Sequence, residues 1–82
     1  MDTAQQVRVK IVRYVNEYQK QNPQGSLSCA EIAAAIHAGE PMVGPELQYL
    51  IESGKLKKHS HAAGQTYPRV TITARGRADA DA

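Results

Sequence analysis

At Gly54 the apolar pattern of this chain changes period, and that change restricts the folds open to it. Before Gly54 the apolar residues recur three and four positions apart, and after it they tend to alternate. Helices followed by strands are the expected consequence. From Thr3 to Gln21, residues Val7, Ile11, Tyr14, Val15 and Tyr18 share one helical face. Asn22-Pro23-Gln24-Gly25-Ser26 ends that helix, because Pro23 has no N–H to donate and disfavours helix at Asn22. Leu27 follows as a candidate for a very short strand.

Ser28-Cys29-Ala30-Glu31 has the capping-box form, in which the Ser28 hydroxyl accepts from the Glu31 N–H and the carboxylate reaches back. A second helix is expected from there, with Ile32, Ala33, Ala35 and Ile36 on its buried side and Gly39 as its stop. Val43, Leu47, Leu50 and Ile51 mark a third, ending at Ser53-Gly54. Leu56 to Ser60 and Tyr67 to Thr73 then read as two strands of a hairpin around Ala62-Ala63-Gly64-Gln65, with Val70 and Ile72 on one face. Pro68 cannot donate to a ladder, so its strand is an edge or begins after it. The expected division is one domain over 1–77 and a small, charged, disordered tail over 78–82.

A chain of 82 residues makes one domain, and a core of that size supplies about 3–5 kcal/mol of net stability. With no Trp or Phe and four Tyr, the core has to be aliphatic. Cys29 is the single cysteine, so an intramolecular disulfide is impossible and a reducing compartment, the cytoplasm, is expected. Neither a secretion signal nor a run of about 18 apolar residues is present to suggest export or membrane spanning.

A net charge of +2 says little about partners, whereas its distribution is informative. Residues 22–54 contain four acids (Glu31, Glu40, Glu46, Glu52) and no Lys or Arg. Residues 55–77 contain six bases (Lys55, Lys57, Lys58, Arg69, Arg75, Arg77) and no acid. Positive charge therefore lies in the C-terminal third. No nucleophile motif, phosphate loop or paired carboxylate set points to an enzyme, and no cofactor is expected. His59 and His61 would share a strand face, but no neighbouring cysteine or carboxylate completes a metal set, so none is expected. They read instead as weakly basic groups of the hairpin. Cys29, in the first turn of a helix, invites a redox reading, but a packed core thiol is the plainer role.

The order helix, helix, helix, hairpin resembles the winged helix-turn-helix family. From Ile36, residues Val43, Leu47, Leu50, Gly54 and Leu56 follow at offsets 7, 11, 14, 18 and 20, the frame usual in that family. Leu50-Ile51-Glu52-Ser53-Gly54-Lys55-Leu56 looks like its junction between recognition helix and wing, with Gly54 at positive φ. Tyr67 and Val70 through Arg77 are similar to its closing strand. The resemblance, over roughly residues 3 to 77, implies an α+β fold of three helices with a C-terminal β-hairpin wing, and a bacterial DNA-binding transcription regulator. Gly39 at the N-cap and Gly44-Pro45 depart from the pattern, so the third helix is expected to start near Met42 or Val43.

With Val43, Leu47 and Leu50 turned inward, a step of about 100° per residue places Pro41, Pro45, Gln48, Tyr49 and Glu52 outside. The expected DNA-binding residues are Pro45, Gln48 and Tyr49 on the third helix, and Lys55, Lys57, Lys58, His59, His61 and Arg69 on the hairpin. Gln48 has the amide to pair with adenine, and the cations suit phosphates. Strand alternation groups Lys57, His59 and His61 on one face and Lys58 on the other. Val9 and Val12, opposite the first helix's core stripe, are the candidate homodimer contact. The alternative is a protein-interaction module that docks on a larger nucleic-acid-binding protein through the acidic third helix, Glu40, Glu46 and Glu52.

Overall fold

Thr3 opens the first helix, α1 (Ala4–Gln21), with a capping box: its hydroxyl accepts from the Gln6 N–H, and the Gln6 side chain accepts from the Thr3 N–H. The computed structural model describes residues 3–60 and 66–81, and the chain continues through α2 (Cys29–Ala35), α3 (Glu40–Glu52), β1 (Leu56–Ser60), β2 (Arg69–Ile72) and α4 (Ala74–Ala80). The capping box expected at Ser28–Glu31 is present at the start of α2. Gly54 takes φ 83° and lets the Lys55 N–H reach back to the Leu50 carbonyl at 3.0 Å, which closes α3.

One aliphatic core joins all these elements. Val7, Ile11 and Val15 of α1, Leu27, Ile32 of α2, Val43, Leu47 and Leu50 of α3, Leu56 of β1 and Val70 of β2 are all buried. The strands pair antiparallel, Leu56 opposite Ile72, Lys57 opposite Thr71 and Lys58 opposite Val70. Leu27 adds a single bridge to Val70, so the short strand expected there is one residue long.

Three expectations need correction. The third helix starts at Glu40 and not near Met42 or Val43, because Gly39 takes extended angles and its carbonyl accepts from both Met42 and Val43 at 3.0 Å. Pro41 fits because the first turn has no use for its missing N–H. Pro45 falls inside the helix without ending it. The closing strand stops at Ile72, and the residues expected to end as a disordered tail form α4 as far as Ala80. Ala74-Arg75-Gly76-Arg77-Ala78-Asp79-Ala80 carries no apolar period, and seven residues are too few for a stable isolated helix. Tertiary partners hold it: the Thr73 hydroxyl caps the Gly76 N–H at 3.0 Å, Asp79 pairs with Lys55 at 3.2 Å, and Asp81 accepts from Asn16 at 3.1 Å.

Burial of Val12 overturns the third expectation. Val12 is 2% exposed and belongs to the core, whereas Val9 is 39% exposed. A contact made by both valines on one free face is ruled out, and a single exposed valine is ordinary.

Candidate nucleic-acid interface

The outer side of α3 and the hairpin meet in an open cleft of about 450 Å³ lined by Pro45, Gln48, Ile51, Lys58, Thr66, Tyr67 and Pro68. Its base depends on Gly44. The Tyr67 ring lies so close to α3 that a Cβ at Gly44 would stand 2.1 Å from Cζ, so only a glycine admits the ring in this position. Ring against helix backbone fixes the second strand's approach beside α3. Lys58 lies on the same strand face as Leu56, and its side chain therefore reaches the cleft beside Gln48. Lys57, opposite Thr71, projects from the other face. Both lysines are exposed, and neither has a carboxylate partner among the described residues.

Of the candidate residues, Pro45, Gln48 and Lys58 are thus brought together. Gln48 is exposed and its amide lies 3.4 Å from the Glu52 carboxylate one turn on. His59 is exposed at an irregularity in the ladder between Lys58 and Ser60, which breaks the strict alternation that would have put it on the face of Lys57. His61 lies outside the described residues.

Three candidates are engaged elsewhere. Arg69 bonds the Ser26 hydroxyl and carbonyl, each at 2.8 Å, and pairs with Glu31 at 3.2 Å, so it ties β2 to the α1–α2 loop. Lys55 pairs with Asp79 and is two-thirds covered. Tyr49 carries the Arg8 guanidinium 3.7 Å above its ring centroid, on the α1 side of α3 and away from the cleft. Sequence spacing could place these residues on exposed elements, but it could not reveal partners 24 to 43 positions away, such as Ser26 for Arg69.

Arg8 was no candidate, yet it alters the charge of α3. Its guanidinium bonds the Glu46 carboxylate, which is 16% exposed, so one of the three acids of α3 is neutralised. Glu40 and Glu52 stay exposed. Cys29 is buried, and burial, with the nearby Glu40 charge as a lesser cause, raises its thiol pKa above the ordinary value. The packed-thiol role fits that environment and a reactive thiolate does not.

The chain is similar to the crystal structure of a MepR mutant from a multidrug-resistant S. aureus clinical isolate, with a TM-score of 0.71 at 19% identity. The fold is a winged helix. This similarity covers 92% of the present chain and 51% of that one, so the winged helix described here spans about half of the other protein's length. No protein-family model matches the sequence, and no curated protein does. Within the winged-helix frame α3 is the third helix and the β1–β2 hairpin is the wing.

Removing Arg69 tests its reassignment. Arg69→Ala is expected to lower stability by about 1–2 kcal/mol, through two lost charge-assisted bonds, in chemical denaturation. The salt dependence of any DNA binding should stay as it is in the parent protein. A shallower salt slope would return Arg69 to the contact surface.

Proposed function

We propose that this winged helix binds double-stranded DNA and acts as a transcription regulator, with the wing as its main grip. The observation that carries the reading is the cleft in which Lys58 of the wing stands beside Gln48 of the recognition helix. A cation for phosphate and an amide for a base edge are there presented side by side, as a protein that positions on the backbone and reads in the groove requires. Lys57 adds a second exposed cation on the far strand face, and His59 a third basic group.

Glu46 bears on the rival reading. A docking surface for a basic protein partner would draw on Glu40, Glu46 and Glu52 together, and Arg8 already occupies the middle one. The acidic face is thereby reduced to its two ends.

Fluorescence anisotropy with a random-sequence duplex at low salt tests the proposal. Binding at micromolar protein that weakens steeply with added salt is expected. No binding at that concentration would remove DNA as the partner and bring back the protein-interaction alternative.

A further inference from the structure

Arg8 reaches from α1 to two side chains of α3. Its Nε donates to the Glu46 carboxylate, and its guanidinium lies 3.7 Å above the centroid of the Tyr49 ring. Glu46 and Tyr49 are three residues apart and share the flank of α3 that is turned to α1, whereas Gln48 lies on the flank turned to the wing. A planar guanidinium can bond a carboxylate through its edge while its face covers a ring. The pair is partly covered, with Arg8 31% and Glu46 16% exposed.

The consequence of this contact reaches across the helix. An α-helix with its side chains is about 10–12 Å thick, so a charge on the Glu46 flank lies within about that distance of whatever Gln48 meets. The Debye length is about 30 Å at 0.01 M salt and about 3 Å at 1 M, so an unpaired Glu46 would be felt there at low salt and screened at high salt. Residues 22–54 hold no Lys or Arg to balance it. The balancing charge has to come from another element, and α1 brings it.

We propose that Arg8 raises the DNA affinity of this domain without touching DNA, as a positioning residue that acts through Glu46. By cancelling that carboxylate it lets α3 approach a duplex with two exposed acids, Glu40 and Glu52, and not three negative charges. The assignment rests on the DNA-binding reading above and extends it to a residue of α1.

The test uses fluorescence anisotropy with random-sequence duplex across a salt series, for the parent protein, Arg8→Met, Arg8→Lys, Glu46→Gln and the double variant Arg8→Met with Glu46→Gln. Arg8→Met keeps an apolar stem against Tyr49 and should weaken binding about threefold to tenfold at low salt, a loss that fades as salt rises. Arg8→Lys keeps the charge and should bind like the parent. Glu46→Gln should bind more tightly than the parent without a rise in Tm, so its gain cannot come from better folding. In the double variant the affinity should return to the parent value. A double variant as weak as Arg8→Met would overturn the assignment, because a clamp that merely shapes α3, or an Arg8 that itself grips phosphate, is not rescued by removing the carboxylate. Equal affinity of the parent and Arg8→Met at low salt would overturn it too, while leaving DNA binding intact. Absence of binding by the parent protein would overturn both readings.

Discussion

Replacing Gly76 with alanine is expected to lower Tm by roughly 10–20 °C, equivalent to about 2–3 kcal/mol. The added Cβ would stand 2.1 Å from the Lys55 carbonyl oxygen and 2.7 Å from Ile72 Cδ1. Alanine is intrinsically the better helix former by about 1 kcal/mol, so propensity alone would give the opposite sign. Packing decides, because the Lys55 carbonyl cannot withdraw. It accepts from the Thr73 N–H at 3.3 Å and from the Thr73 hydroxyl at 2.9 Å, while the same hydroxyl lies 2.6 Å from the Gly54 carbonyl. Arg75 adds a bond to the Ser53 carbonyl at 3.0 Å. The corner between β2 and α4 is thus fastened to the turn that joins α3 to β1. Thermal denaturation followed by circular dichroism checks the sign, and an unchanged or higher Tm would mean that the corner opens without cost.

Removing both free wing lysines, Lys57→Ala with Lys58→Ala, should weaken duplex binding about 10- to 100-fold at low salt, for every sequence alike. The slope of log affinity against log salt should fall by about 1.8, the share of two neutralised phosphates. Stability should change by less than about 0.5 kcal/mol, since both side chains are exposed and lack carboxylate partners among the described residues. Their contributions should also differ. Lys58 shares the cleft with Gln48, so a double-mutant cycle between these two should show coupling, whereas Lys57 on the other strand face should act additively with Gln48. An unchanged salt slope in the double variant would remove the wing from the mechanism.

Much of the architecture was legible because it rests on local rules. The stripe of α1, the Ser28–Glu31 capping box and the helix end at Gly54 each depend on residues within a few positions, and each is found as expected. The register of β1 on β2 likewise follows from placing Val70 and Ile72 on the buried face. Where the pattern was silent, the controlling partner was remote. Helix α4 has no apolar period and exists through Thr73, Lys55 and Asn16, and Val12 belongs to the core through tertiary packing that the stripe of α1 did not show. The start of α3 was misplaced for a subtler reason, since Gly39 supplies a backbone acceptor where no side-chain cap is available.

The candidate site divides in the same way. Sequence by itself determined which residue types lie on α3 and the wing, and it located the positive charge after Gly54 and its absence before. Exposure and engagement were decided by the tertiary structure. Arg69, Lys55 and Tyr49 looked free in one dimension and are held by Ser26, Asp79 and Arg8 in three, while Gly44 admits the Tyr67 ring that sets the cleft where Gln48 and Lys58 meet. The physical reason is range. Helix and strand periods act between near neighbours along the chain, whereas a cation is freed or spent by whichever carboxylate, carbonyl or ring the folded chain carries to it.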